Sequence, residues 1–185
     1  MILRRFIAIA CIILSSGLSK NIYSAQQGES YAGIQYAMLS YTESGFPDIE
    51  PTVLVGHYGY FIYNYIALEG RLGFGLAEDS AKLSSYTFNV DVSYIYGAYI
   101  TGHYPTSGKL DIYGLAGINM IDLTHTSTAT GSTNTTSDAG ASYAFGLGMN
   151  YHAYNNLGLN LEFARYYSVD EVIIDALSFG FSVRF

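Results

Sequence analysis

Tryptophan is missing from the 185 residues, and cysteine occurs once, as Cys11. One cysteine excludes an internal disulfide framework and any cysteine-based metal centre. Charge is scarce, at 12% of residues, where soluble domains carry roughly 25%. Positive charge is scarcer still, with eight Lys and Arg against 15 Asp and Glu. No basic stripe exists to neutralise phosphates, so nucleic acid is excluded as a partner. Also missing is any apolar run of 18 or more residues, which leaves no candidate transmembrane helix. What remains is unusual for a soluble chain: 19 Tyr, 10 Phe, 20 Gly and a hydrophobic fraction of 50%. Such a chain has ample apolar surface to fold, and its length suits one domain.

The first 25 residues read as an address. Arg4 and Arg5 precede a short apolar run from Phe6 to Leu14, and small and polar residues follow. This is the layout of a cleaved secretory signal peptide, with the cut expected after Ala25 and with Ser19 and Ser24 as rival positions. Three of the eight basic residues, Arg4, Arg5 and Lys20, leave with it, as does Cys11. Residues 26–185 then hold five basic against 15 acidic residues.

The remainder alternates with a period of two. Leu157, Leu159, Leu161 and Phe163 fall on one face of an extended segment, with Gly158, Asn160 and Glu162 on the other. Tyr143, Phe145, Leu147, Met149 and Tyr151 repeat the pattern against Ala144, Gly146, Gly148 and Asn150. A strand sorts residues onto two sides in this way, whereas a helix scatters them. Segments near 31–42, 52–62, 66–76, 86–100, 109–121 and 176–185 behave alike, giving eight strands. Short connections near 63–65, 101–108 and 153–156 alternate with long polar ones near 43–50, 77–85, 122–138 and 167–175. The third of these is a Ser/Thr tract, 124–137, read as a mobile loop that packs no core.

The apolar face is long and almost uncharged, and the opposite face is small or polar. A soluble sandwich would bury the first and coat the second with Lys and Glu. Small residues instead suit a crowded barrel interior, and an aromatic apolar face suits lipid with Tyr at the interfaces. In hydrocarbon every backbone group must be bonded within the protein, which a closed barrel achieves. The expected fold is all-β: an eight-stranded antiparallel up-and-down transmembrane β-barrel over 26–185. Alternation turns Glu69, Arg71, Asp91, Asp111, Glu162 and Arg184 inward, with His57 and His152. Arg71 and Arg184 are expected to be shared among the carboxylates, because isolated buried charges are costly. Eight strands leave a lumen that side chains fill.

The chain ends Leu177-Ser-Phe-Gly-Phe-Ser-Val-Arg-Phe185. A last strand closing on a terminal aromatic is similar to the signature of bacterial outer-membrane proteins. The resemblance implies that Phe185 is an assembly signal read by the barrel-assembly machinery. Pro51-Thr-Val-Leu-Val-Gly-His-Tyr-Gly-Tyr60 and Ile66-Ala-Leu-Glu-Gly-Arg-Leu-Gly73 look like the small porin-family barrel domain, and Leu110-Asp-Ile-Tyr-Gly114 resembles the fifth strand of OmpA-like domains. These resemblances imply a Gram-negative cell envelope, with outer-membrane lipid and lipopolysaccharide as surroundings and periplasmic termini. Leu115 stands at an inward position where that family often has arginine.

Three sets of residues invite chemistry. His125 and Ser127, with Asp122 nearby, have the spacing of a base and nucleophile, but they lie in a tract where Ser or Thr follows almost anything. The carboxylates could form a protease or metal constellation, yet they lie mid-strand and are read as ion pairs. His57 and His152 lack metal-ligand spacing. Neither Gly70–Gly73 nor Gly146–Gly148 continues as a phosphate loop. Acidic loop residues Glu43, Asp48, Glu50, Glu78, Asp79, Asp170 and Glu171 are read as solubilising. The expectation is a monomer that is no enzyme, without cofactor or metal. Its role is structural or surface-interactive: membrane integrity, adhesion, or a host or surface ligand held by outer loops. A narrow porin-like channel and a lipid A-modifying enzyme are the alternatives.

Overall fold

The computed structural model describes residues 26–42, 49–77, 79–83, 86–106, 108–129, 132–153, 156–169 and 172–185, the side chains of 77, 79–83, 86–91, 123, 125–129 and 132–138 excepted. The expected leader, residues 1–25, lies outside the described residues. So do Glu43, Asp48, Glu78, Asp170 and Glu171 of the acidic set.

Among the described residues nine strands form: β1 (Ser30–Thr42), β2 (Thr52–Tyr63), β3 (Ile66–Ala77), β4 (Asp79–Leu83), β5 (Tyr86–Pro105), β6 (Leu110–Ala129), β7 (Ser132–His152), β8 (Leu157–Val169) and β9 (Val172–Arg184). All pairings are antiparallel, in the order β3-β2-β1-β9-β8-β7-β6-β5-β4, and β3 also pairs with β5. That last pairing, from Ile66 with Gly102 to Phe74 with Tyr94, closes the ring. Among the described residues β4 pairs only with β5, from Asp79 with Val90 to Leu83 with Tyr86. It therefore stands above the ring as a continuation of the third stave, and the barrel has eight.

The burial pattern is inverted relative to a water-soluble sheet. On β3, Glu69 and Arg71 are buried while Leu68, Leu72 and Phe74 are exposed. On β7 and β8 the exposed set is Tyr143, Phe145, Leu147, Leu159, Leu161 and Phe163. Exposed Leu and Phe in a continuous band are stable only against lipid.

The two ends differ. At one end the termini meet, with Ser30 and Phe185 exchanging backbone hydrogen bonds at 2.8 Å each way. The tight connections lie here too. Tyr65 turns the β2–β3 link at φ 69°, and His152 N donates to Lys109 O across neighbouring turns. The four other hairpins lie at the opposite end.

Those hairpins correct the sequence reading. Residues 122–129 and 132–138 are strand, not loop: Thr124 pairs with Ser137 and Ala129 with Ser132. Residues 77–85 include β4, and 167–175 are largely the ends of β8 and β9, joined through Val169 with Val172. β5 likewise continues past 100 to Pro105, which pairs with Asp111. The physical reason is that a ladder is held by backbone hydrogen bonds, and β-branched Thr suits a strand without any apolar partner.

Inside, the lumen is layered. An apolar cluster fills the hairpin half, with Leu39, Val53, Val55, Ile95, Ile121 and Ile174 all at or below 2% exposure. The ionic and histidine side chains occupy the middle and the terminus half. The expectation of a small, ionic interior describes only this second part.

Candidate functional site

The lumen belt is organised around Arg71. β3 places Glu69 and Arg71 two residues apart, hence on one face, and β8 brings Glu162 across the interior. Arg71 Nε meets Glu69 Oε1 at 2.6 Å, and its Nη1 and Nη2 meet the two oxygens of Glu162 at 2.5 and 2.8 Å. Arg71 Nη1 also donates to the Tyr166 hydroxyl at 2.9 Å. Tyr31 donates to the one carboxylate oxygen Arg71 leaves over, Glu69 Oε2, at 2.5 Å, and Tyr113 adds a second donor to Glu162 Oε2 at 2.8 Å. The guanidinium lies 4.9 Å from the centre of the Tyr99 ring. Planar, bidentate and fully enclosed, this arrangement is a structural clamp. The Arg71 side chain is buried, and its hydrogen bonds go to Glu69, Glu162 and Tyr166.

A second cluster sits nearer the terminus end. His103 Nδ1 lies 2.8 Å from Asp111 Oδ2, and its Nε2 lies 3.2 Å from Thr101 Oγ1. Thr101 in turn lies 3.3 Å from the Tyr31 hydroxyl. Arg184 Nη2 stands 3.9 Å from Asp111 and stacks 5.3 Å from the Phe61 ring centre. Tyr31 thus joins the two clusters into one hydrogen-bonded chain.

Among the residues singled out from sequence, Glu69, Arg71 and Glu162 converge, and Asp111 and Arg184 meet separately. The side chain of Asp91 lies outside the described residues; its backbone pairs with Thr124 on β6. His57 and His152 point inward without converging on a metal site, and no group of three His, Cys, Asp or Glu does so among the described residues. Leu115 is inward and buried. The side chains of His125 and Ser127 also lie outside the described residues. Their backbones are strand, paired with Thr136 and Asn134 of β7, not the loop expected.

Sequence reasoning missed His103, Thr101 and the inward tyrosines 31, 99, 113 and 166, having placed the aromatic stripes against lipid. Parity carried the signal: Tyr113 is two residues from Asp111, and Tyr99, Thr101 and His103 share one face.

The outer end offers a second feature. β4, β5, β6 and the first half of β7 continue as a four-stranded sheet beyond the ring. β8 pairs with β7 only between Phe145 and His152. Further along, β8 stays beside β7 without a ladder, Tyr167 lying over Gly140 and Ser168 N donating to Ser142 Oγ at 3.0 Å, so among the described residues the stretch from Ser132 to Ala139 has no strand beside it on that side. It is an open edge about eight residues long.

Among curated proteins no sequence matches the chain. Solved structures do. The attachment invasion locus protein Ail of Yersinia pestis superposes with a TM-score of 0.62 at 19% identity, covering 86% of this chain and 100% of that one. Neisserial surface protein A superposes with a TM-score of 0.63 at 18% identity, again over 86% and 100%. OprG of Pseudomonas aeruginosa gives 0.54 at 12% identity, over 89% and 99%. At these identities the likeness is one of fold. An inverted barrel, a clamped ionic belt and these neighbours agree with the family model for the outer membrane protein beta-barrel domain, which matches residues 7–185, and the chain belongs to that family of the Gram-negative outer membrane.

Proposed function

We propose that the protein is a non-enzymatic surface-interaction barrel. The transmembrane ring anchors the β4–β7 sheet, and that sheet engages a host or surface ligand in the medium. The observation that carries this reading is the open edge from Ser132 to Ala139. Natural edge strands are usually blunted by Lys, Pro or a bulge. This edge has neither Lys nor Pro, and Asp138 is its one charged residue. Such an edge pairs with an extended peptide, the backbone supplying affinity.

Charge narrows the ligand. In sequence, the segments that join the outer strand ends and their flanks carry Glu43, Asp48, Glu50, Glu78, Asp79, Asp122, Asp138, Asp170 and Glu171 against Lys82. Arg165, on the outward face of β8, is already held by Asp175 in a bidentate pair at 2.7 and 2.9 Å. Ail has been solved with the heparin analogue sucrose octasulfate; the acidity of this chain favours a basic, extended partner instead. In this reading the termini are periplasmic, and lipopolysaccharide and lipid surround the apolar band. The barrel-assembly machinery reads the strand ending in Phe185, and the barrel is a monomer. The apolar cluster in the hairpin half of the lumen supports a closed interior over a porin-like channel.

The test is a binding screen with refolded protein in vesicles, comparing the full chain with a deletion of 124–137. Leu123 and Asp138 are paired neighbours, so the deletion rejoins the hairpin without touching the ring. Binding that is lost with the tract supports the reading; equal binding by a folded deletion variant overturns it.

A further inference from the structure

Between the Arg71 belt and the terminus end, side chains leave a cavity of about 20 Å³, lined among others by Gln35, His57, Asn150, Asn160, Ser182 and Arg184. That volume suits one water molecule. Among the lining side chains, Gln35 Oε1 and His57 Nδ1 are buried polar atoms without a hydrogen-bond partner. Gln35 is only 1% exposed, and its amide nitrogen donates to Asn160 Oδ1 at 3.3 Å, which fixes its oxygen as the atom left over. The His57 ring is held in place over Gly33, where even a Cβ would come within 2.5 Å of it. Groups this deeply buried are almost always bonded to protein or to ordered water. A water between them satisfies both, whichever ring nitrogen carries the proton.

The cavity also has a direction. The exposed turn residue Asn156 lines it at the terminus end. On the other side stand the Arg71 clamp and the apolar cluster of Leu39, Val53, Val55 and Ile95.

We propose that the terminus half of the lumen is a blind, hydrated vestibule: an ordered water bridges Gln35 Oε1 and His57 Nδ1, and it exchanges with the terminus side alone. This is independent of the ligand reading above, since it concerns the opposite end of the molecule.

Two measurements test it. A crystal structure of the refolded barrel at high resolution is expected to show a water within hydrogen-bond distance of both atoms. The same peak is expected to vanish in Gln35→Leu. Direct bonding of Gln35 Oε1 to a protein group, or a peak that persists in the variant, overturns the site. For access, Cys11 lies in the expected leader, so a barrel of residues 26–185 is cysteine-free. Ser182→Cys, with Asn150→Cys as a second variant, is reacted in oriented proteoliposomes with a small cationic methanethiosulfonate. Reaction at least tenfold faster from the terminus side is expected. Equal rates from both sides, or protection from both in each folded variant, overturn the vestibule.

Discussion

Tyr31 reaches Glu69 by lying across Gly59. The hydroxyl of the β1 tyrosine donates to the β3 carboxylate at 2.5 Å, passing over the intervening strand, where a Cβ on Gly59 would stand 2.1 Å from the Tyr31 ring. The glycine is therefore a spatial requirement of the ion network, and Tyr31 has little room to move between His57, Phe61 and His103.

Gly59→Ala is accordingly expected to destabilise the barrel by about 1–3 kcal/mol through overpacking. Gly70→Ala, on the lipid face with nothing within 4 Å of the added carbon, is the control. Denaturant unfolding of both variants in lipid vesicles, followed by tyrosine fluorescence, checks the contrast; equal stabilities would remove the spatial argument.

Arg71→Met leaves Glu69 and Glu162 buried without their cation. Removing one partner of such a pair costs about 3–5 kcal/mol. Replacing all three residues by apolar ones of similar size is expected to restore most of that loss. By contrast, Arg165→Ala breaks a pair that is 32% and 24% exposed, and exposed pairs contribute roughly 1 kcal/mol or less. Heat-modifiability on gels ranks the three variants; a full-sized loss in the Arg165 variant would contradict the burial argument.

Planar-bilayer recordings are expected to show no sustained, reproducible conductance. The apolar layer of Leu39, Val53 and Ile121 offers no group to replace an ion's hydration shell. Stable unitary currents would overturn the closed lumen and favour the narrow channel.

A polysulfated glycan is expected not to bind, whereas a basic extended peptide is expected to bind with an affinity that falls as salt rises beyond 0.15 M, because screening shortens to about 8 Å there. Titration calorimetry with both ligands at two ionic strengths settles the sign. Tight binding of the glycan would refute the charge argument.

Much of this was legible because lipid imposes a one-sided rule on each strand. Glu69 and Arg71 could face only inward once Leu68 and Leu72 faced outward. Where both faces are apolar the rule gives no direction: β1 presents Tyr36 and Met38 on one side and Ala37, Leu39 and Tyr41 on the other. The apolar half of the lumen was hidden for that reason. The inward tyrosines were hidden by residue type, since Tyr113 bound to Glu162 and Tyr143 facing outward look alike until parity is applied. The hairpin extensions were hidden by environment. Beyond the membrane no lipid enforces alternation, so Thr124 to Ser137 carries no hydropathic period, and only the backbone records that it is strand.

The seam between β1 and β9 joins Tyr31 to Arg184 and Thr42 to Ile173, residues more than 130 positions apart. Until the final stave arrives, both the opening and closing strands carry a raw flank of amide groups. Closure is therefore withheld from every nascent or truncated form, and loops spanning nearly the whole polypeptide must be paid for before any seam contact forms, which makes completion slow. A clipped tail would yield a gaping sheet prone to aggregation, so an intact last strand matters as much as the composition of the rest.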